Sequence, residues 1–103
     1  MCLLFFSYRN TPGYRLVIAA NRDEFLKRPT ARLDFIDKEK QILAGLDLLG
    51  RGTWLGVNRG GKLAALTNYR QKDKIAGDAP SRGNILTSYL SSNSGGAEFL
   101  KNL

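Results

Sequence analysis

Five successive apolar residues, Leu16-Val17-Ile18-Ala19-Ala20, run straight into the polar quartet Asn21-Arg22-Asp23-Glu24, and this junction constrains the chain more than any other stretch. An unbroken apolar run with two β-branched members reads as a strand covered on both faces, so the quartet stands where a buried strand emerges. Upstream, Pro12-Gly13 marks a turn, and Cys2-Leu3-Leu4-Phe5-Phe6-Ser7-Tyr8 reads as a second strand, giving a hairpin with Arg9 to Gly13 as its loop. With that loop centred near Thr11, Cys2 lies opposite Ala20 and Arg22 is its diagonal neighbour on the same face, about 7–8 Å away. The sole cysteine then meets an arginine. A slip of one residue presents Asn21 and Asp23 instead, and the sequence leaves that choice open.

A chain of 103 residues holds at most one small domain, and a hydrophobic fraction of 43% without low-complexity tracts is that of a globular one. No apolar run approaches the roughly 18 residues of a membrane span. Met1 to Phe6 lacks the basic flank and cleavage site of a signal peptide, so a cytoplasmic setting is expected. One cysteine cannot close an internal disulfide, and the absence of histidine removes Cys-His and Ser-His catalysis and histidine-based metal sites from this chain. The net charge of +7 comes from 16 basic against 9 acidic residues scattered from Arg9 to Lys101. Such scatter reads as a solvated surface and leaves an anionic ligand open; no motif points to nucleic acid.

Beyond Glu24, Pro29 stops any continuing element, Leu33 to Phe35 alternates like an edge strand, and Asp37-Lys38-Glu39-Lys40 is a charged turn. Ile42 to Gly45 is a further short strand, followed by a glycine-marked loop from Leu46 to Gly52. Thr53 to Asn58 and Lys62 to Tyr69 flank Arg59-Gly60-Gly61, the clearest hairpin signal in the chain. Its second strand ends in Thr67-Asn68-Tyr69-Arg70, so two strands deliver two polar clusters. Gln71 to Pro80 reads as a mobile loop, and Ser81 as the cap of a helix whose Ile85, Leu86, Tyr89 and Leu90 share one face. Phe99, Leu100 and Leu103 repeat that spacing without a stop signal, which suggests a chain cut short.

These residues allow a definite chemistry. If Met1 is removed, Cys2 carries a thiol and a free α-amine, and an amine of pKa about 7.7–8.0 can be the base that histidine cannot supply. A nearby Arg22 stabilises the thiolate. The alternative is a small apolar residue opening a strand. Asp23 and Glu24 either orient the amine and arginine or form an ion-pair network at a strand end. Asn68 is either an oxyanion donor or a turn residue. A magnesium site from Asp23, Glu24 and Asp47 is conceivable, without any spacing that singles it out.

Met1-Cys2, Ala20-Asn21-Arg22-Asp23-Glu24-Phe25 with Arg28-Pro29, Gly52-Thr53-Trp54-Leu55-Gly56, Leu63 to Tyr69 and Ser81-Arg82-Gly83 together resemble the ordered signature blocks of the NRDE family, also called the transport and Golgi organisation protein 2 family. Arg51 stands where family members usually carry glycine. The resemblance implies an α+β fold of the N-terminal nucleophile hydrolase-like type, an αββα sandwich of which residues 1–103 are the N-terminal part. It implies Cys2 as nucleophile and base, Arg22 and Asp23 as its orienting pair and Asn68 as oxyanion donor. The expected reaction is hydrolysis of an amide or related acyl bond, without a metal or resident cofactor. A second expectation is a non-catalytic carrier of haem or an acyl lipid, in keeping with the family's links to Golgi organisation, secretion, lipid metabolism and haem movement. Asn21, Glu24, Trp54, Tyr69 and Arg70 are the ligand-binding candidates around that pocket, with Phe25 as further aromatic surface. Without its remaining layers, the isolated chain is expected to self-associate.

Overall fold

The computed structural model describes residues 2–39, 41–68 and 81–103. Six antiparallel strands precede two helices: β1 (Leu3–Thr11), β2 (Tyr14–Asn21), β3 (Asp34–Phe35), β4 (Ile42–Ala44), β5 (Leu55–Asn58), β6 (Leu63–Ala65), α1 (Gly83–Ser91) and α2 (Gly96–Lys101). The fold is α+β. β1 and β2 form a two-stranded sheet, while β3, β4, β5 and β6 form a four-stranded meander in chain order. The edge strand ending at Phe35, the strand from Ile42 and the Gly-Gly hairpin stand where the sequence puts them, but the hairpin strands are shorter than expected, β5 starting at Leu55 and β6 ending at Ala65 before Thr67 and Asn68.

Small residues on the meander let α1 lie close. Ala44 pairs with Gly56, and Ala64 is the next neighbour across. A methyl group at Gly56 would stand 2.8 Å from a Leu90 methyl, so the glycine is the space that Leu90 fills. Leu90, Ile42 and Ala44 form the core, and Leu86, one helical turn earlier, is buried on the same face. The β5–β6 turn also caps α1. Asn58 donates its side-chain amide to the Leu90 carbonyl at 2.7 Å, and Lys62 Nζ donates to the Tyr89 carbonyl at 3.1 Å and to the carbonyl of Ser92. The carbonyls that a helix end leaves unpaired are thus met from the sheet.

The helix start differs from expectation. Arg82, not Ser81, holds the cap position, and no side chain caps it, because its backbone is already right-handed helical. The Ser81 carbonyl instead accepts the Asn84 N–H at 3.0 Å. The first turn is placed by main-chain contact with the loop before β5: a methyl group at Gly52 would lie 2.5 Å from Gly83, and one at Gly83 would lie 2.9 Å from Thr53.

The first hairpin departs from expectation in two respects. Leu3 pairs with Asn21 and Leu4 with Ala20, two residues from the expected register, which keeps the face and changes the partners. The chain turns tightly at Pro12-Gly13, with Gly13 at φ 80°, and the strands extend into the expected loop, an extra residue being absorbed as a bulge where Arg9 takes φ 54°. Second, β2 is not buried on both faces: Leu16 and Val17 are about two-fifths exposed, and on the partner strand Phe5 and Phe6, opposite Ala19 and Ile18, are 64% and 74% exposed. No described layer packs on the hairpin as α1 packs on the meander, so the apolar run has no cover to enter.

Candidate active site

The end of β2 and the loop after β4 meet in an ion-pair cluster built on Asp47. This residue is buried although it follows a strand on a glycine-rich loop. Its backbone is fixed on both sides: Asp47 N–H donates to the Gly52 carbonyl at 2.9 Å, and the Asp47 carbonyl accepts from Arg51 N–H at 2.8 Å. The carboxylate divides its work. Oδ1 accepts the N–H groups of Leu49 and Gly50 at 2.9 and 2.8 Å, the turn geometry favoured by an aspartate three residues before a glycine. Oδ2 accepts from Arg22 Nη2 and Arg28 Nε, each at 2.7 Å. Burial pushes the Asp47 carboxyl up, but the Gly50 and Leu49 N–H groups and the Arg28 guanidinium outweigh it and hold the group below its ordinary value.

Arg22 is gripped at three points. Besides Asp47, its Nη1 donates to the Arg28 carbonyl at 3.3 Å, and its guanidinium lies 5.0 Å over the Trp54 ring. The indole can take that position because position 45 is glycine; a methyl group there would stand 2.6 Å from the ring. Glu24 completes the group, accepting from Arg28 Nη1 and from Asn68 Nδ2, both at 3.5 Å. The polar ends of the β2 and β6 segments therefore converge.

Cys2 stands one step beyond the Leu3–Asn21 pair, beside this cluster and half-buried. Its sulfur accepts the Asp23 N–H at 3.5 Å, and its S–H faces the Asp23 carbonyl at 3.9 Å. Cys2, Arg22, Asp23, Glu24, Trp54 and Asn68 thus belong to one region. Asn21 is used differently, its Oδ1 accepting the Leu3 N–H at 2.8 Å to tie the hairpin base. Phe25 is exposed on the adjoining turn. Tyr69 and Arg70 lie outside the described residues, as does the whole stretch from Gln71 to Pro80. Sequence reasoning did not assign the central roles of Asp47 and Arg28. The Asp-x-x-Gly turn was a visible signal for the first, but not for its partners across 25 residues of chain.

The matched blocks therefore have structural reasons: Arg22 and Arg28 converge on one carboxylate, Trp54 carries Arg22, and Gly52 meets Gly83. The family profile described as Transport and Golgi organisation 2 matches residues 1–103. The chain belongs to that family. It is 44% identical over 108 aligned positions to the human Transport and Golgi organization protein 2 homolog and 43% identical to the mouse homolog, in both cases with 98% of this chain covered. The Drosophila melanogaster Transport and Golgi organization protein 2 is 36% identical over 99 positions, covering 87% of this chain. The chain spans 39% of the length of the mammalian relatives.

Among the described residues of this family member, no group of three cysteine or acidic side chains is arranged to hold a metal ion. None of their helices is long and apolar enough to cross a membrane. A cavity of about 410 Å³ lies elsewhere, between β6, α1 and α2, lined by Leu66, Ile85, Leu86, Phe99, Leu100 and Arg82 among others. Neither Trp54 nor Arg22 lines it.

Proposed function

We propose that this chain is the nucleophile-bearing part of an N-terminal nucleophile hydrolase-like αββα sandwich that cleaves an amide or related acyl bond. The observation that supports this reading most is the seat of Cys2: its thiol rests on the main chain of Asp23, the residue that follows an arginine fixed by a carboxylate and an aromatic face. After removal of Met1, the Cys2 α-amine takes the thiol proton and the sulfur attacks the acyl carbon. The Asn68 amide, which donates to Glu24 at 3.5 Å, turns toward the developing oxyanion. The ammonium returns its proton to the leaving amine, and water, activated by the same amine, releases the acid from the thioester. Arg22 stands at the end of β2, and Asp23 holds the sulfur through its main chain.

The test is hydrolysis of a panel of acyl amides and thioesters by the whole protein. Cys2→Ala abolishes turnover, and substrate mass trapped on wild-type Cys2 identifies the thioester. Equal turnover by Cys2→Ala overturns the mechanism.

A second reading, transport of an acyl lipid or haem within the cytoplasm, is favoured by the apolar cavity beside α1, where Arg82 offers a cation to a carboxylate. It predicts saturable binding that survives Cys2→Ala and is lost in Ile85→Glu. Lack of saturable uptake by the whole protein removes it.

A further inference from the structure

We infer that Asp47 is the positioning residue of this site, holding Arg22 at the end of β2 where the Cys2 thiol sits. The inference rests on the reading of Cys2 as nucleophile, and it assigns to the loop after β4 a part in a site otherwise built from the β2 and β6 ends. Arg22 is held by the Asp47 carboxylate, the Arg28 carbonyl and the Trp54 ring, and of these three the charged partner is Asp47 Oδ2. That oxygen is itself immobile, because Oδ1 is tied to Leu49 and Gly50, and the Asp47 backbone is tied to Gly52 and Arg51. Arg28 shares the same oxygen and also offers its carbonyl to Arg22, so one carboxylate fixes two guanidinium groups relative to each other. A carboxylate meeting charged donors at this distance gives strong, directional hydrogen bonds.

The division of labour between the two oxygens provides a specific variant. Asp47→Asn keeps the Oδ1 acceptor and the turn, while its amide replaces Oδ2 with a donor facing two donors. Asp47→Ser, whose hydroxyl can still accept from the turn, is a second variant should the first fail to fold. Two native reporters serve the test: Trp54 is the only tryptophan, and Cys2 the only cysteine, of these 103 residues. Each has a counterpart in the whole protein that is made the sole labelled or emitting residue by replacing any others.

In the whole protein, Asp47→Asn and Arg22→Met are expected to shift Trp54 emission by the same amount, and the double variant no further. Alkylation of Cys2 by iodoacetamide at neutral pH slows severalfold in both, with circular dichroism and melting still cooperative. Wild-type emission and alkylation in Asp47→Asn, beside changed values in Arg22→Met, overturn the positioning role and leave the Cys2 reading standing. An emission change in Asp47→Asn with alkylation unaltered in both variants keeps the Asp47–Arg22 link and removes Cys2 from its influence, which overturns the inference together with Arg22's part in the mechanism. Faster alkylation in Asp47→Asn, the sign of a carboxylate that merely cancels Arg22, also overturns it.

Discussion

The Asp47 carboxylate accepts from the Arg22 guanidinium at 2.7 Å across 25 residues, joining the loop after β4 to the end of the exposed first hairpin. This bond, with Arg28 on the same oxygen, is the main charged link between the two sheets among the described residues. Stability and site geometry therefore share one group.

Acid should loosen this link. The native Asp47 carboxyl is held below the ordinary aspartate value of about 3.9, so in that range the unfolded chain binds the proton first. The stabilisation is complete above the ordinary value and is lost as pH falls through the native one. Urea unfolding of wild type and Asp47→Asn between neutral pH and about pH 3 is expected to converge toward the acid end. Asp37, also lowered, chiefly by the Ile42 N–H, contributes equally to both proteins. Parallel curves would contradict this role for Asp47.

Lys62→Met removes the ammonium that closes the end of α1 while retaining most of the stem. Three hydrogen bonds, to Tyr89 and Ser92, are lost together with a cation resting 4.6 Å from the Tyr89 ring. A loss of about 1–2 kcal/mol in chemical unfolding is expected, with fraying of α1 seen as faster amide exchange after Leu86.

The approach of Gly52 to Gly83 leaves no room for a methyl group. Gly83→Ala forces main-chain atoms apart and should cost about 2 kcal/mol or more, whereas Gly95→Ala, with nothing within 4 Å, should change stability by less than about 0.5 kcal/mol. Paired thermal melts decide this.

The 103-residue chain on its own should self-associate, because Phe5, Phe6, Tyr8 and Tyr14 leave both strands of the hairpin rich in exposed apolar surface. Sedimentation should show species larger than the monomer, reduced by Phe5→Lys/Phe6→Glu. A monomer at every concentration would contradict this prediction.

Local pattern carried much of this architecture. Gly60-Gly61 placed the β5–β6 hairpin, with Gly61 at φ 85°, and Leu86 and Leu90 marked the inner face of α1. Arg51, at φ 55°, occupies a left-handed conformation that glycine adopts without strain, a feature of backbone geometry that apolar spacing does not announce. The first register was displaced because a bulge at Arg9 and a tight Pro12-Gly13 turn are decided by backbone geometry rather than by apolar spacing. The apolar run from Leu16 announced burial, but burial requires a covering layer, and pattern within one strand does not supply it. The Asp47 network was hidden for a related reason. Its turn is local and legible, while the pairing with Arg22 and Arg28 exists only once β4 has placed the loop.

The most direct measurement is the intact mass of the whole protein isolated from its own cells. The account predicts a chain that has lost Met1 and begins at an unblocked Cys2, with the α-amine available as base. A chain that retains Met1, or carries a blocked Cys2 amine, would contradict it.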